Sequence, residues 1–168
     1  HFFGPSPAAL LDAISFKRLP VMFAQEADYT CGAGREIGEF LRKSAPAGAS
    51  VAVNHSGAIP YYSKLRAIDI TGLNDIYIAS IRGRGLHQKH DADYVLAERP
   101  DYIVLNTHSR PRPDGITPNY WAGETEIYNH PWFKRNYEKM EGVWRVNWPP
   151  PKEHYVVLYR RIGTAVGE

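Results

Sequence analysis

Residues 54–75, NHSGAIPYYSKLRAIDITGLND, constrain the fold more than any other stretch of this chain. A strand-like apolar run, Ser50 to Val53, feeds into it, and a second run, Arg66 to Ile70, carries Asp69 near its end. Between them lie a small Ser-Gly-Ala turn, the Tyr61-Tyr62 pair, and the cations Lys64 and Arg66. Asn74 or Asp75 then opens a helix running through Ile81, because a short polar side chain accepts the orphan amides of a helix start. Polar groups thereby collect at strand ends, where open α/β sheets place their sites.

The flanking segments extend this pattern. Residues 33–43, AGREIGEFLRK, put Ile37, Phe40 and Leu41 at helical spacing, opposite a charged face. Pro46 and Gly48 end that helix before the strand at Ser50. Asp91 to Arg99 predicts a further helix, closed by Pro100. Tyr102 to Asn106 is the clearest buried strand. Residues 107–125 are rich in Pro, Gly and Thr and read as a long loop, a length that is functional or disordered in most proteins. A short helix is expected near His130 to Tyr137, and another over Ala8 to Phe16. Val143 to Trp148 and Tyr155 to Arg160 alternate as strands, joined across Pro149-Pro150-Pro151. The expected architecture is a single α/β domain over residues 1–168. It is a layered sandwich with a mixed, mainly parallel sheet and an antiparallel C-terminal hairpin.

Composition narrows the function. With 20 Lys+Arg against 18 Asp+Glu the net charge is only +2, and no basic stripe stands out, which argues against nucleic-acid binding. Cys31 stands alone, so neither an internal disulfide nor an all-cysteine metal site is possible. No apolar run approaches the roughly 18 to 20 residues of a spanning helix. The start at His1, with no leader pattern, reads as a processed or excised chain.

Three chemistries deserve weighing. His87, His90 and Asp91, with Asp93 beside them, have ligand types suited to a zinc-like ion. The competing reading is a solvated loop whose aspartate caps the next helix, and the central Lys89 disfavours a cation. His55, Ser56 and Asp69 suggest a triad on paper. There is no GxSxG elbow, however, and adjacent extended residues point apart. Tyr61 and Tyr62 with Lys64 and Arg66 suit a sugar or a lipid phosphate, although burial of one tyrosine is the plainer reading. Trp121, with Tyr120, Arg110 and Arg112, marks the long loop as a recognition surface.

Taken together, VAVNHSGAIPYYSKLRAIDITGLNDIYIA and GLHQKHDADYVLAERPDYIVL resemble the extracytoplasmic C-terminal region of bacterial polytopic glycosyltransferases. These are the membrane enzymes that use polyprenyl-phosphate sugars, arabinofuranosyltransferase-like and protein mannosyltransferase-like members among them. The resemblance covers residues 33–105. It implies a soluble domain at the outer face of the bacterial membrane, a partner in the membrane part of its own chain, and contact with cell-envelope glycan or lipid-linked sugar. It implies no cofactor and no catalytic residue here, because the catalytic carboxylate of such enzymes lies in an early loop that no position of this chain matches. Tyr61, Tyr62, Asp69, Asn74, Asp75, His87 and His90 match the family pattern and are the candidates for a polar cleft, with Asp69 also suited to receiving turn amides. The alternatives are a self-contained metal-assisted hydrolase using His87, His90 and Asp91, and a free-standing carbohydrate-binding module.

Overall fold

A computed structural model describes residues 32–82, 85, 88–146 and 153–164. The expected N-terminal helix, Cys31, His87 and the triple proline lie outside these residues. Six helices and five strands follow one another among the described residues: α1 (Gly34–Ser44), β1 (Ser50–Val53), α2 (Ala58–Ser63), β2 (Arg66–Asp69), α3 (Ile76–Ser80), α4 (Ala92–Ala97), β3 (Tyr102–Thr107), α5 (Ala122–Asn129), α6 (Pro131–Asn136), β4 (Tyr137–Val146) and β5 (His154–Arg161).

The strands form one mixed sheet in the order β2-β1-β3-β5-β4. β2, β1 and β3 are parallel, and β5 and β4 continue the sheet antiparallel. The expected layered α/β sandwich with an antiparallel C-terminal pair is therefore present. β3 is the central strand, and all six of its residues are buried. That explains its continuous apolar run, since a strand covered on both faces has no reason to alternate polar residues.

Two cores sandwich the sheet. On one face Ile37 and Leu41 of α1 and Ile59 of α2 pack on Val51, Val53, Val104 and Leu158. On the other, Ile78, Val95, Leu96, Ile127 and Phe133 of α3 to α6 pack on Ala52, Ile103, Leu105 and Val157. Gly38 lets α1 and α2 cross closely: a Cβ there would meet Tyr62 Cβ at 2.7 Å and Ile59 O at 2.9 Å.

Three expectations need correction. The segment 107–125 is not one loop, because α5 begins at Ala122. Its loop part is pinned: Thr107 Oγ1 donates to Thr117 O at 2.7 Å, and Asn119 Oδ1 accepts from His108 N at 2.8 Å. Tyr61 and Tyr62 lie on the helix α2, and neither is fully buried. β4 begins at Tyr137, six residues before the expected strand, and is irregular between Lys139 and Val143. Gly142 supplies a positive φ of 106° at that bulge. Among the described residues, no helix is long and apolar enough to cross a membrane.

Candidate functional site

β1 connects onward to β2 on one side, while its other neighbour β3 connects onward to β4 at the far edge, so their connections leave in opposite directions. The carboxyl ends of β1 and its neighbours therefore flank a topological switch point, where open α/β sheets form their crevices. Two groups of polar side chains gather at this end of the sheet.

The first lies at the edge strand β2. Asp69 ends that strand, 4% exposed. Its carboxylate accepts from Thr71 N at 2.8 Å, Gly72 N at 3.1 Å and Asn74 N. Gly72 makes the turn possible with a φ of +79°, and a Cβ there would strike Ala79 N at 2.7 Å. Asp75 caps α3 by accepting from Ile78 N at 2.9 Å, and accepts from Tyr94 Oη at 3.0 Å. The latter bond raises the Tyr94 phenol pKa and keeps its proton in place. Asn74 is exposed, and its side chain makes no hydrogen bond among the described residues. Ser56, Asp69, Asn74, Asp75 and Tyr94, with the Arg66–Glu98 ion pair at 3.0 Å, line a cleft of about 220 Å³. Tyr77 packs on Tyr94 with ring centroids 4.4 Å apart and is half-exposed beside the cleft.

Of the residues expected from sequence, Asp69, Asn74 and Asp75 thus share one cleft. Tyr61, Tyr62 and Trp121 do not line it. Tyr61 is 66% exposed on α2, edge-on to Tyr62 at 5.1 Å, with Lys64 Nζ 4.2 Å from its ring centroid. Arg35 lies 5.5 Å from the centroid of Tyr62. Trp121 precedes α5 and packs edge-on against Tyr120 at 5.0 Å. His90 Nδ1 is 2.7 Å from Glu126 Oε2. Asp91 caps α4 through Tyr94 N at 2.9 Å and accepts from Tyr77 Oη at 2.8 Å. Among the described residues, no group of three His, Cys, Asp or Glu side chains could hold a metal ion, and His87 lies outside them.

The second group was not expected from sequence. Asn106, near the end of β3, donates from Nδ2 to Glu124 Oε1 at 2.6 Å and from its backbone N to Oε2 at 3.2 Å. Its Oδ1 then faces His154 Nε2 at 2.9 Å, so His154 carries its proton on Nε2. The His154 ring stacks on Tyr120 at 4.7 Å and approaches the His108 ring at 5.7 Å. Burial pushes the Glu124 carboxyl up to about 8, against the opposing pull of the Asn106 bonds and the Asn54 amide. Burial, then the positive charges His108 and His55 can carry, push His154 down to about 4. Both groups are therefore neutral near pH 7, which avoids the cost of a buried charge. With Glu124 2% and His154 0% exposed, the chain His154–Asn106–Glu124 locks β5, β3 and α5 together beneath the surface. The strand-end amide Asn106 was visible in the sequence; Glu124 sat in a segment read as loop.

No characterised protein and no solved structure matches this chain. Residues 21–159, most of the chain, match a family described as a domain of unknown function, DUF8728, and the protein belongs to that family.

Proposed function

We propose that this domain is the non-catalytic, extracytoplasmic part of a membrane glycosyltransferase and that it helps to hold the acceptor glycan. The cleft beside β2 carries this reading. Its largest carboxylate commitments, Asp69 and Asp75, are made to the turn and to the cap of α3, so they order the site. That leaves the Asn74 carboxamide and the Arg66–Glu98 pair to meet sugar hydroxyls, with Tyr77 beside them as a stacking face. The pieces that resemble the polyprenyl-phosphate-sugar enzymes, Ile68-Asp69 and Gly72 to Asp75, build this same turn. The membrane part of its own chain would be its partner, at the outer face of the cell membrane.

The test has two arms. Titration of the protein with neutral cell-envelope oligosaccharides, followed by amide chemical shifts, is expected to move Asn74, Asp75 and Tyr77. Incubation with polyprenyl-phosphate sugars and an acceptor is expected to give no transfer. Transfer by this chain alone, or a glycan titration that leaves the cleft unmoved, overturns the reading. A free-standing carbohydrate-binding module would use the same cleft, and the full reading frame separates the two: several apolar spans upstream support the membrane enzyme.

A further inference from the structure

A second cleft lies at the opposite edge of the sheet, where α6, the start of β4 and the end of β5 meet the turn at Pro113 and Asp114. It measures about 420 Å³, within the range of small-molecule sites. Tyr128, Phe133, Tyr137 and Tyr159 line it, and Lys134 and Lys139 add two cations. The rings form one cluster, with Phe133 stacked on Tyr137 at 5.1 Å and 13°, and Phe133 against Tyr159 at 5.0 Å.

The charges in this cleft are unevenly committed. Glu138 is held by Arg160 at 2.6 Å, and Asp114 faces Arg112 at 3.3 Å. Neither lysine has an ion-pair or hydrogen-bond partner among the described residues. The Tyr159 hydroxyl is a further loose end. The residue is 4% exposed, and its Oη has no partner in ordinary hydrogen-bond geometry among the described residues. Burial, then the nearby Tyr128 hydroxyl, raise the Tyr159 phenol pKa, but the two hydroxyls fall outside ordinary hydrogen-bond geometry. A buried hydroxyl without a partner is costly, and a bound acceptor removes that cost.

We propose that this cleft binds a small anionic sugar, a saccharide bearing a phosphate or carboxylate. Lys134 and Lys139 take the charge, Tyr159 Oη donates to a ligand oxygen, and Tyr128, the one partly exposed ring of the four, meets the carbon face of the sugar. The site is independent of the β2 cleft and of the function proposed for it.

Calorimetric titration with glucose 1-phosphate, glucuronate, glucose and inorganic phosphate tests it. At least one charged sugar is expected to bind, with its phosphate or carboxylate distinguishing the two sources of charge, while glucose and inorganic phosphate bind at least about tenfold more weakly. K134Q and K139Q are each expected to weaken binding about tenfold, as for loss of one charge-assisted hydrogen bond. Tyr159→Phe keeps the ring and is expected to weaken binding a few-fold; a phenol that merely holds a water would leave affinity unchanged. Failure of both charged sugars to bind overturns the proposal. So does equal binding of glucose or of bare phosphate, or affinity retained in the double lysine variant or in Tyr159→Phe.

Discussion

Asp69 and Glu124 are both buried carboxyl groups at the same end of one sheet, 4% and 2% exposed, and they solve the cost of burial differently. Asp69 collects three backbone amides within five residues of itself, so a local turn supplies the compensating donors. Glu124 has one backbone amide and one carboxamide, both from Asn106 on a distant strand, and burial keeps its proton on near neutral pH. The first arrangement orders a surface turn and leaves Asn74 reaching into an open cleft. The second ties three elements together and is closed to solvent. Position at a strand end is thus no guide to role by itself; the source of the hydrogen-bond partners decides whether polar atoms remain for a ligand.

Substitutions sharpen this contrast. Asn106→Leu deprives Glu124 and His154 of their shared partner at once and is expected to cost about 4 kcal/mol in denaturant unfolding. Asp69→Ala strands three turn amides, part of which water can reach, and is expected to cost about 3 kcal/mol while deforming the β2 cleft. A larger loss for Asp69→Ala than for Asn106→Leu would reverse the assignment of the deeper structural role.

The pH dependence of stability reports on the buried Glu124 and His154. Folded Glu124 keeps its proton between about 4.5 and about 8 while the unfolded chain has lost it, so its contribution falls as pH rises through that window. Folded His154 stays neutral between about 4 and 6.5 while the unfolded chain is protonated, so its contribution falls as pH drops through that window. The two slopes cancel between about 4.5 and 6.5, leaving a net loss of about 2 kcal/mol between pH 6.5 and 8. Glu124→Gln is expected to abolish that alkaline loss and expose the His154 slope below pH 6.5, in urea midpoints measured across pH. An unchanged profile in Glu124→Gln would mean the carboxyl is ionised in the fold. The smallest effect is expected at Asn74→Ala, within about 0.5 kcal/mol of wild-type stability because the side chain is exposed, but with weaker glycan binding in the titration above.

Much of the fold was legible because its signals are local. The run of Tyr102 to Asn106 announces a strand covered on both faces, and the short polar side chains at Asn74-Asp75 and at Asp91 and Asp93 announce the starts of α3 and α4, where Asp75 and Asp91 make the caps. α5 was not legible. Its sequence AGETEIYN carries little amphipathic signal, its cap position is Trp121 with no capping bond, and it buries Glu124 beside Ile127 on the core side. The early start of β4 was equally hidden, because its charged residues sit on an edge strand whose pairing is set by β5.

By itself, the sequence determined the α/β alternation, the central strand and the turn from Asp69 to Asp75, since each depends on spacing and on hydrogen bonds reached within a few residues. Only the tertiary structure decided that Asp69, Asn74 and Asp75 share a cleft without Tyr61, Tyr62 or Trp121, and that Glu124 finds its partners on Asn106. Those outcomes depend on contacts between segments far apart in the chain, and periodicity along one segment carries no record of which distant side chain will stand opposite it.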